Sequence, residues 1–241
     1  MKQIYRFLFH ITFGRLRRYF YVLYKGNIKN NKILIYYEDG TIRKVTSIHG
    51  LNIFFEGSNS VVKIFKPYQF SNSVLHIGND NIVKIDSNCH VNDLIIPIKM
   101  SDKSELIIGK NFSVVGCHFY LHDEPERKVY IGDDCLFSFG IIIWPSDGHT
   151  ICDKNGNILN NPENIIIENN CWIGMHTKIL KGSHIPKGSI LGANSLYVKS
   201  SNPKSYEKSC LFVGQPAKVI KIDIKWSPYN TYLYNCKREK I

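Results

Sequence analysis

From Ile167 onward the hydrophobic positions recur every six residues, at Ile167, Ile173, Ile179, Ile185 and Leu191, with Tyr197 closing the series. Four residues after each aliphatic stands a small side chain: Cys171, Thr177, Ser183, Ser189 and Ser195. A period of six fits neither a helix at ~3.6 nor a plain strand at ~2, so the repeat describes a superstructure rather than one element. Three hexads make one triangular turn of a parallel β-helix. The periodic aliphatic points inward from each short strand, and the small residue lets the chain turn the corner without crowding.

The register returns upstream at Ile131, Phe137 and Ile143, with Cys135 and Ile141 in the fourth-after positions. A looser echo lies nearer the N-terminus, where Gly57-Ser58-Asn59-Ser60-Val61-Val62-Lys63-Ile64 is repeated as Gly78-Asn79-Asp80-Asn81-Ile82-Val83-Lys84-Ile85, 21 residues on. A turn of eighteen residues with a small bulge gives that spacing. Such turns bury their inner faces only by stacking, so the ends of the array need caps. The pattern is broken from Trp144 to Asn164, where Pro145, Asp147-Gly148-His149, Asp153 and Gly156 have the composition of a loop. Chemistry is expected there, because regular turns are filled by core and corner residues while an insertion reaches over the surface.

The stretches Ile173-Gly174, Ile179-Leu180-Lys181-Gly182, Leu191-Gly192-Ala193-Asn194-Ser195 and Val213-Gly214-Gln215-Pro216-Ala217-Lys218-Val219-Ile220-Lys221 resemble the hexapeptide-repeat acyltransferases. The resemblance covers roughly residues 105–226. Within that group Asp147-Gly148-His149-Thr150-Ile151, set before Cys171-Trp172-Ile173-Gly174, has the spacing of the O-acetyltransferases that modify bacterial surface polysaccharides, and Ile224-Lys225-Trp226 is similar to their C-terminal end. The pattern departs from the family at Gln215, where asparagine is commoner.

The resemblance implies an all-β, left-handed parallel β-helix that assembles as a homotrimer with clefts shared between neighbours. It implies acetyl-CoA as donor, no metal, and a sugar hydroxyl of a capsule or O-antigen as acceptor. His149 then matches the general base, with direct transfer and no acyl-enzyme. An unperturbed imidazole, at a pKa near 6.5, suits removal of a hydroxyl proton near neutrality. Asp147, two residues earlier, has the spacing to hold that imidazole in one tautomer, with Asp123, Asp133 and Asp134 as competitors.

Trp172 precedes the inward Ile173, so its ring points outward, either to stack on a sugar or the pantetheine arm or to pack against the loop or a neighbouring subunit. Gly174, Gly192 and Ala193 are small where a ligand must approach the backbone closely, although turn geometry alone also accounts for them. The resemblance runs the pantetheine arm beside these turns and sets Lys199 and Lys218 toward the adenosine phosphates.

Composition narrows the partners. Apolar residues make up 44% of the 241, enough for a core, and no run of eighteen apolar residues reads as a membrane span. The seven cysteines show no Cys-x-x-Cys pair, which points to reduced structural thiols in a cytoplasmic protein. A net charge of +11 calls for anionic company. Nucleic acid is set aside because no recognition motif is present. Coenzyme A phosphates and acidic sugars fit.

Residues 1–25 combine Ile4, Leu8, Ile11, Leu16, Tyr19, Phe20 and Leu23 with six basic residues at helical spacing. The segment lacks the cleavage site of a secretory signal. Two readings are open: a helix capping the β-helix, or peripheral contact with an anionic membrane at its inner face. The expected organisation is a basic N-terminal region over 1–47, the β-helix over 48–200 with its loop at 144–164, and a C-terminal extension over 201–241.

Three alternatives stand beside the main reading. One is an N-acetyltransferase acting on an amino sugar, against which no separate nucleotide-binding unit precedes the repeats. Another is a γ-carbonic-anhydrase-like zinc protein using His118, His122 and His149. The last is a scaffold without catalysis.

Overall fold

The computed structural model describes residues 29–205, 207–229 and 231, and over them the chain winds as a left-handed parallel β-helix of triangular section. The amphipathic segment expected over 1–25 lies outside the described residues. One face carries Lys32–Tyr36, Val61–Phe65, Ile82–Ile85, Glu105–Ile108, Lys128–Ile131, Ile165–Ile167 and His184–Ile185. The second carries Tyr68–Ser71, Cys89–Asn92, Ser113–Val114, Leu136–Phe137, Trp172–Ile173, Ile190–Leu191 and Cys210–Gly214. The third carries Leu51–Phe55, Ser73–Ile77, Leu94–Ile96, Cys117–Phe119, Ile141–Trp144, Lys178–Leu180 and Leu196–Tyr197. From Tyr68 on, the chain visits the faces in the order first, second, third.

The sixfold pattern is the core. Ile167, Ile173, Ile179, Ile185, Leu191 and Tyr197 all have no exposed surface, and all belong to the one hydrophobic core that runs through the stacked coils. Burying such a side chain is worth about 1.5–3 kcal/mol, so the stack is held by a column of similar, modest terms. The small fourth-after residues are buried too, and they fill the corners from inside. Their hydroxyls also stitch successive coils together: Ser189 Oγ accepts from the Cys210 amide at 2.9 Å, and Ser195 Oγ from the Gly214 amide at 3.1 Å. Thr177 Oγ1 is buried without a partner.

The step between coils varies along the axis. It is 18 residues where Trp172 pairs with Ile190 and Lys178 with Leu196. It is 21 from Val61 to Ile82 and 23 from Glu105 to Lys128. Between Val129 and Ile165 it is 36, twice the regular step, and the surplus leaves the coil as an arm over residues 145–164. At the corner between the first and second faces Asn88, Asn111, Asp134 and Asn170 take left-handed backbone angles, one per coil. Side-chain bonds of 2.7 Å link Asn88 to Asn111 and Asn111 to Asp134. Asparagine and aspartate are the residues that tolerate this conformation and bond locally within it.

Both boundaries of the β-helix lie outside the expected 48–200. The parallel ladder begins at Lys32–Tyr36, which pairs in register with Val61–Phe65 and carries Ile42–Val45 antiparallel on its outer edge. It continues to Cys210–Gly214, on which Ala217–Ile222 folds back as an antiparallel hairpin. The two antiparallel strands cover sheet edges that would otherwise present unpaired backbone groups.

Candidate active site

The arm is a small hairpin rather than a featureless loop. Cys152 bridges Ile158, the Leu159 amide donates to the Ile151 carbonyl at 2.8 Å, and Asp153 Oδ1 accepts from the Asn155 and Asn157 amides. It leaves the third face at Trp144 and rejoins the first at Ile165, so it stands on the corner between them. Its outgoing limb bends at Gly148, whose φ of +76° suits a residue without a Cβ. Asp147 and His149 flank that bend, both exposed.

Asp147 makes no bond to the His149 ring. Its carboxylate is engaged elsewhere: Lys181 Nζ lies 2.6 Å from Oδ2, and Asn160 Nδ2 donates to the same oxygen at 3.0 Å. Partial burial pushes this carboxyl up, but the bonds from Lys181 and Asn160 outweigh it and hold the group below the usual carboxylate range. In place of the expected partner, the carboxylate holds a lysine from the next coil. Among the described residues the His149 ring makes no hydrogen bond or ion pair. Its backbone carbonyl accepts from Asn160 Nδ2 at 2.7 Å.

Beneath the arm lies a cluster that the spacing of motifs did not single out. Asp123 Oδ2 accepts from Trp144 Nε1 at 2.5 Å, and Asp123 Oδ1 lies 3.1 Å from His122 Nε2. The His122 ring stacks on Trp144, and Tyr120 packs against both. A Cβ on Gly148 would lie 3.6 Å from Asp123 and 3.7 Å from Trp144, so the bend before His149 rests on this cluster. Asp123, a competitor for the orienting role, is thus taken up by the foundation of the arm.

A groove of about 550 Å³ runs between the arm and the coil, lined by Asp147, Leu159 and Glu163 from the arm and Leu180, Lys181 and Lys199 from the coils. Lys199 Nζ lies 2.6 Å from Glu163 Oε2. Lys199 therefore belongs to the groove beside Asp147, and both groove lysines are matched by carboxylates. Residues 1–28 carry six Lys and Arg and no acid, and residues 232–241 three against one, so eight of the eleven net positive charges fall outside the described residues.

The remaining expected donor residues sit on a different side of the triangle. Trp172 is 40% exposed on the second face, its ring 6.1 Å from that of Trp226, whose Nε1 donates to the Asn170 carbonyl at 2.7 Å. Gly174 and Gly192 are small for the sake of stacking: a Cβ on Gly174 would lie 2.7 Å from the Ala193 nitrogen, and one on Gly192 3.0 Å from Val213. Their amides are already bonded, to Leu191 at 2.8 Å and Phe212 at 2.8 Å. Ala193 is exposed beside them, and Lys218 is exposed on the terminal hairpin. Within one chain the structure unites Asp147, His149 and Lys199 on one corner but does not bring them to Trp172.

Three of the buried thiols have their thiolate forms disfavoured. Burial pushes Cys89 up to about 11 and Cys117 well above the ordinary range, and a bond to Cys135 together with burial does the same for Cys171. Among the described residues no three His, Cys, Asp or Glu side chains gather as a metal site requires, and His118, His122 and His149 do not converge.

The fold is that of solved polysialic acid O-acetyltransferases, and the chain's homologues are sugar O-acetyltransferases of the hexapeptide-repeat group. It is 31% identical over 146 residues to a polysialic acid O-acetyltransferase of Escherichia coli O1:K1 / APEC, covering 60% of this chain and 44% of the relative. It is 32% identical over 128 residues to the galactoside O-acetyltransferase of Escherichia coli K12, covering 52% of this chain and 58% of that one. The chain thus spans about half the length of these curated relatives. The crystal structure of the polySia specific acetyltransferase NeuO superposes with a TM-score of 0.68 and 25% identity over 88% of both chains. No family model matches the chain.

Proposed function

We propose that the chain is an acetyl-CoA-dependent O-acetyltransferase that modifies a hydroxyl of a bacterial surface polysaccharide, with His149 as general base. The observation that carries the reading is the fit to the polySia specific acetyltransferase over 88% of both chains, on a fold whose projecting arm carries His149. The polysialic acid and galactoside relatives both take sugar acceptors by name, and both transfer acetyl to oxygen.

His149 accepts the proton of the acceptor hydroxyl as its oxygen attacks the thioester carbonyl carbon. The tetrahedral intermediate collapses with cleavage of the carbon–sulfur bond, and the imidazolium returns its proton to the departing thiolate. Protonation states balance without a covalent enzyme intermediate, in keeping with thiols that are buried and raised. Positioned proton transfer of this kind contributes about 10²–10⁴-fold.

A homotrimer completes the site, since the His149 corner of one subunit and the Trp172 face of another would close one cleft. Ile151, Ile158 and Leu159 on the arm are each more than half exposed, an apolar surface suited to contact with a neighbour. Trp172 supplies a ring for stacking on the pantetheine arm or a sugar, Ala193 flanks the donor path, and Lys218 faces the adenosine end. Gly174 and Gly192 act through coil geometry rather than through free amides. A cytoplasmic location follows from the need for acetyl-CoA.

Calorimetric titration with acetyl-CoA against free coenzyme tests the donor half, and acetyl transfer to polysialic acid and to a neutral galactoside tests the acceptor. One saturable donor site per chain with transfer to either sugar supports the reading. Folded protein that binds no donor refutes it.

A further inference from the structure

We infer that Asn160 and Lys181 are positioning residues that hold His149 in its working pose. The inference rests on the reading of His149 as general base. The imidazole has no side-chain partner among the described residues, so the backbone that carries it must fix its place. Asn160 grips that backbone on both sides. Its Oδ1 accepts from the Ile151 amide at 2.7 Å, and its Nδ2 donates to the His149 carbonyl at 2.7 Å and to Asp147 Oδ2 at 3.0 Å. One carboxamide thus brackets residues 147–151 with both of its donors and its oxygen engaged.

Lys181 ties this bracket to the coil. Its ammonium donates to the Asn160 carbonyl at 2.8 Å and pairs with Asp147 at 2.6 Å, so it joins the returning limb to the outgoing one. Its side chain is only 19% exposed, and it follows the strand Lys178–Leu180, whose Ile179 is wholly buried. A second ion pair of the arm, between Lys199 and Glu163, leaves the lysine 65% exposed, where such a pair contributes little. Charge-assisted bonds in a sheltered site are stronger and more directional. A catalytic group misplaced by 1 Å loses up to ~10²-fold in rate, so a clamp of this kind shows in turnover.

Amide hydrogen exchange over the arm, read beside steady-state acetyl transfer, tests the inference. Asn160→Asp keeps the size and one acceptor but removes both donors, and Lys181→Met removes the charge at similar length. Each is expected to speed exchange over residues 147–160 about tenfold and to lower kcat by about 10- to 100-fold, with the acetyl-CoA KM within about twofold. Lys181→Arg should recover most of both losses, and Lys154→Ala at the arm's tip should change neither.

Unchanged exchange in Asn160→Asp and Lys181→Met overturns the clamp, whatever the turnover. Faster exchange with undiminished kcat overturns the positioning role. If the unaltered protein binds acetyl-CoA but transfers to no sugar, the reading of His149 fails, and the inference with it, even where exchange shows the clamp itself.

Discussion

The coil over residues 165–197 and the arm over residues 145–164 are adjacent in sequence and built on opposite physics. The coil hides an aliphatic at every sixth position and repeats with a fixed 18-residue step. The arm hides almost nothing and is held by Asn160, Asp153, Lys181 and Glu163 through polar bonds. The first arrangement gives many small, additive terms and one rigid shape. The second gives a few directional bonds that set side chains in solvent, where substrates are met. Rigidity and reactivity are thus separated along the chain, and substitutions should divide the same way.

The largest expected effect falls on the arm. His149→Ala should lower kcat for acetyl transfer by about 10²–10⁴-fold, with the thermal midpoint and acetyl-CoA affinity unchanged. Loss of folding in that variant would instead mean that the arm shares the coil's role. In the coil, Ile179→Ala should cost about 2–5 kcal/mol in a denaturant titration, with the remaining folded fraction fully active. A selective loss of kcat there would break the separation.

Trp172→Ala sharpens the comparison, because this ring is exposed on a coil. A loss of about 0.5–1.5 kcal/mol in donor or acceptor binding, seen as a raised KM, fits stacking on a ligand. Pure loss of thermal stability would assign the ring to Trp226 alone. Thr177→Val is expected to raise stability slightly, by up to about 1 kcal/mol, since it removes a buried hydroxyl that has no partner.

The pH dependence of the arm follows from Asp147. Its folded-state carboxyl lies below its unfolded value, so its pairing is fully present above the unfolded value near 4 and is lost as pH falls through the lower folded value. Arm exchange, corrected for intrinsic rates, should therefore stay flat from neutrality down to about pH 4 and rise only below it. A rise already at pH 6 would show that Asp147 is not the group that matters.

The coil was legible in sequence because its constraint is local. Each hexad must place one aliphatic inward, and Ile167 through Tyr197 declare it. The start at Lys32 was hidden because steps of 21 and 23 residues blur the period and because Ile42–Val45 interrupts the first coil. The position of His149 was legible as a motif on an interruption, but its support was not. Lys181 lies 34 residues from Asp147, and Asn160 lies 13, and only the return of the arm to the next coil brings them together. Asp123 and Trp144, 21 residues apart, meet because successive coils stack. Gly174 and Gly192 looked like ligand contacts because smallness has one appearance in sequence and two causes in space.

The central claim is most directly tested by NMR of the acceptor after incubation with acetyl-CoA and the protein, using polysialic acid and a neutral galactoside in parallel. The account predicts new O-acetyl methyl signals on a sugar, equimolar release of free thiol, and loss of both with His149→Ala. Thiol release without O-acetyl sugar, or acetylation that survives His149→Ala at the original rate, would contradict it.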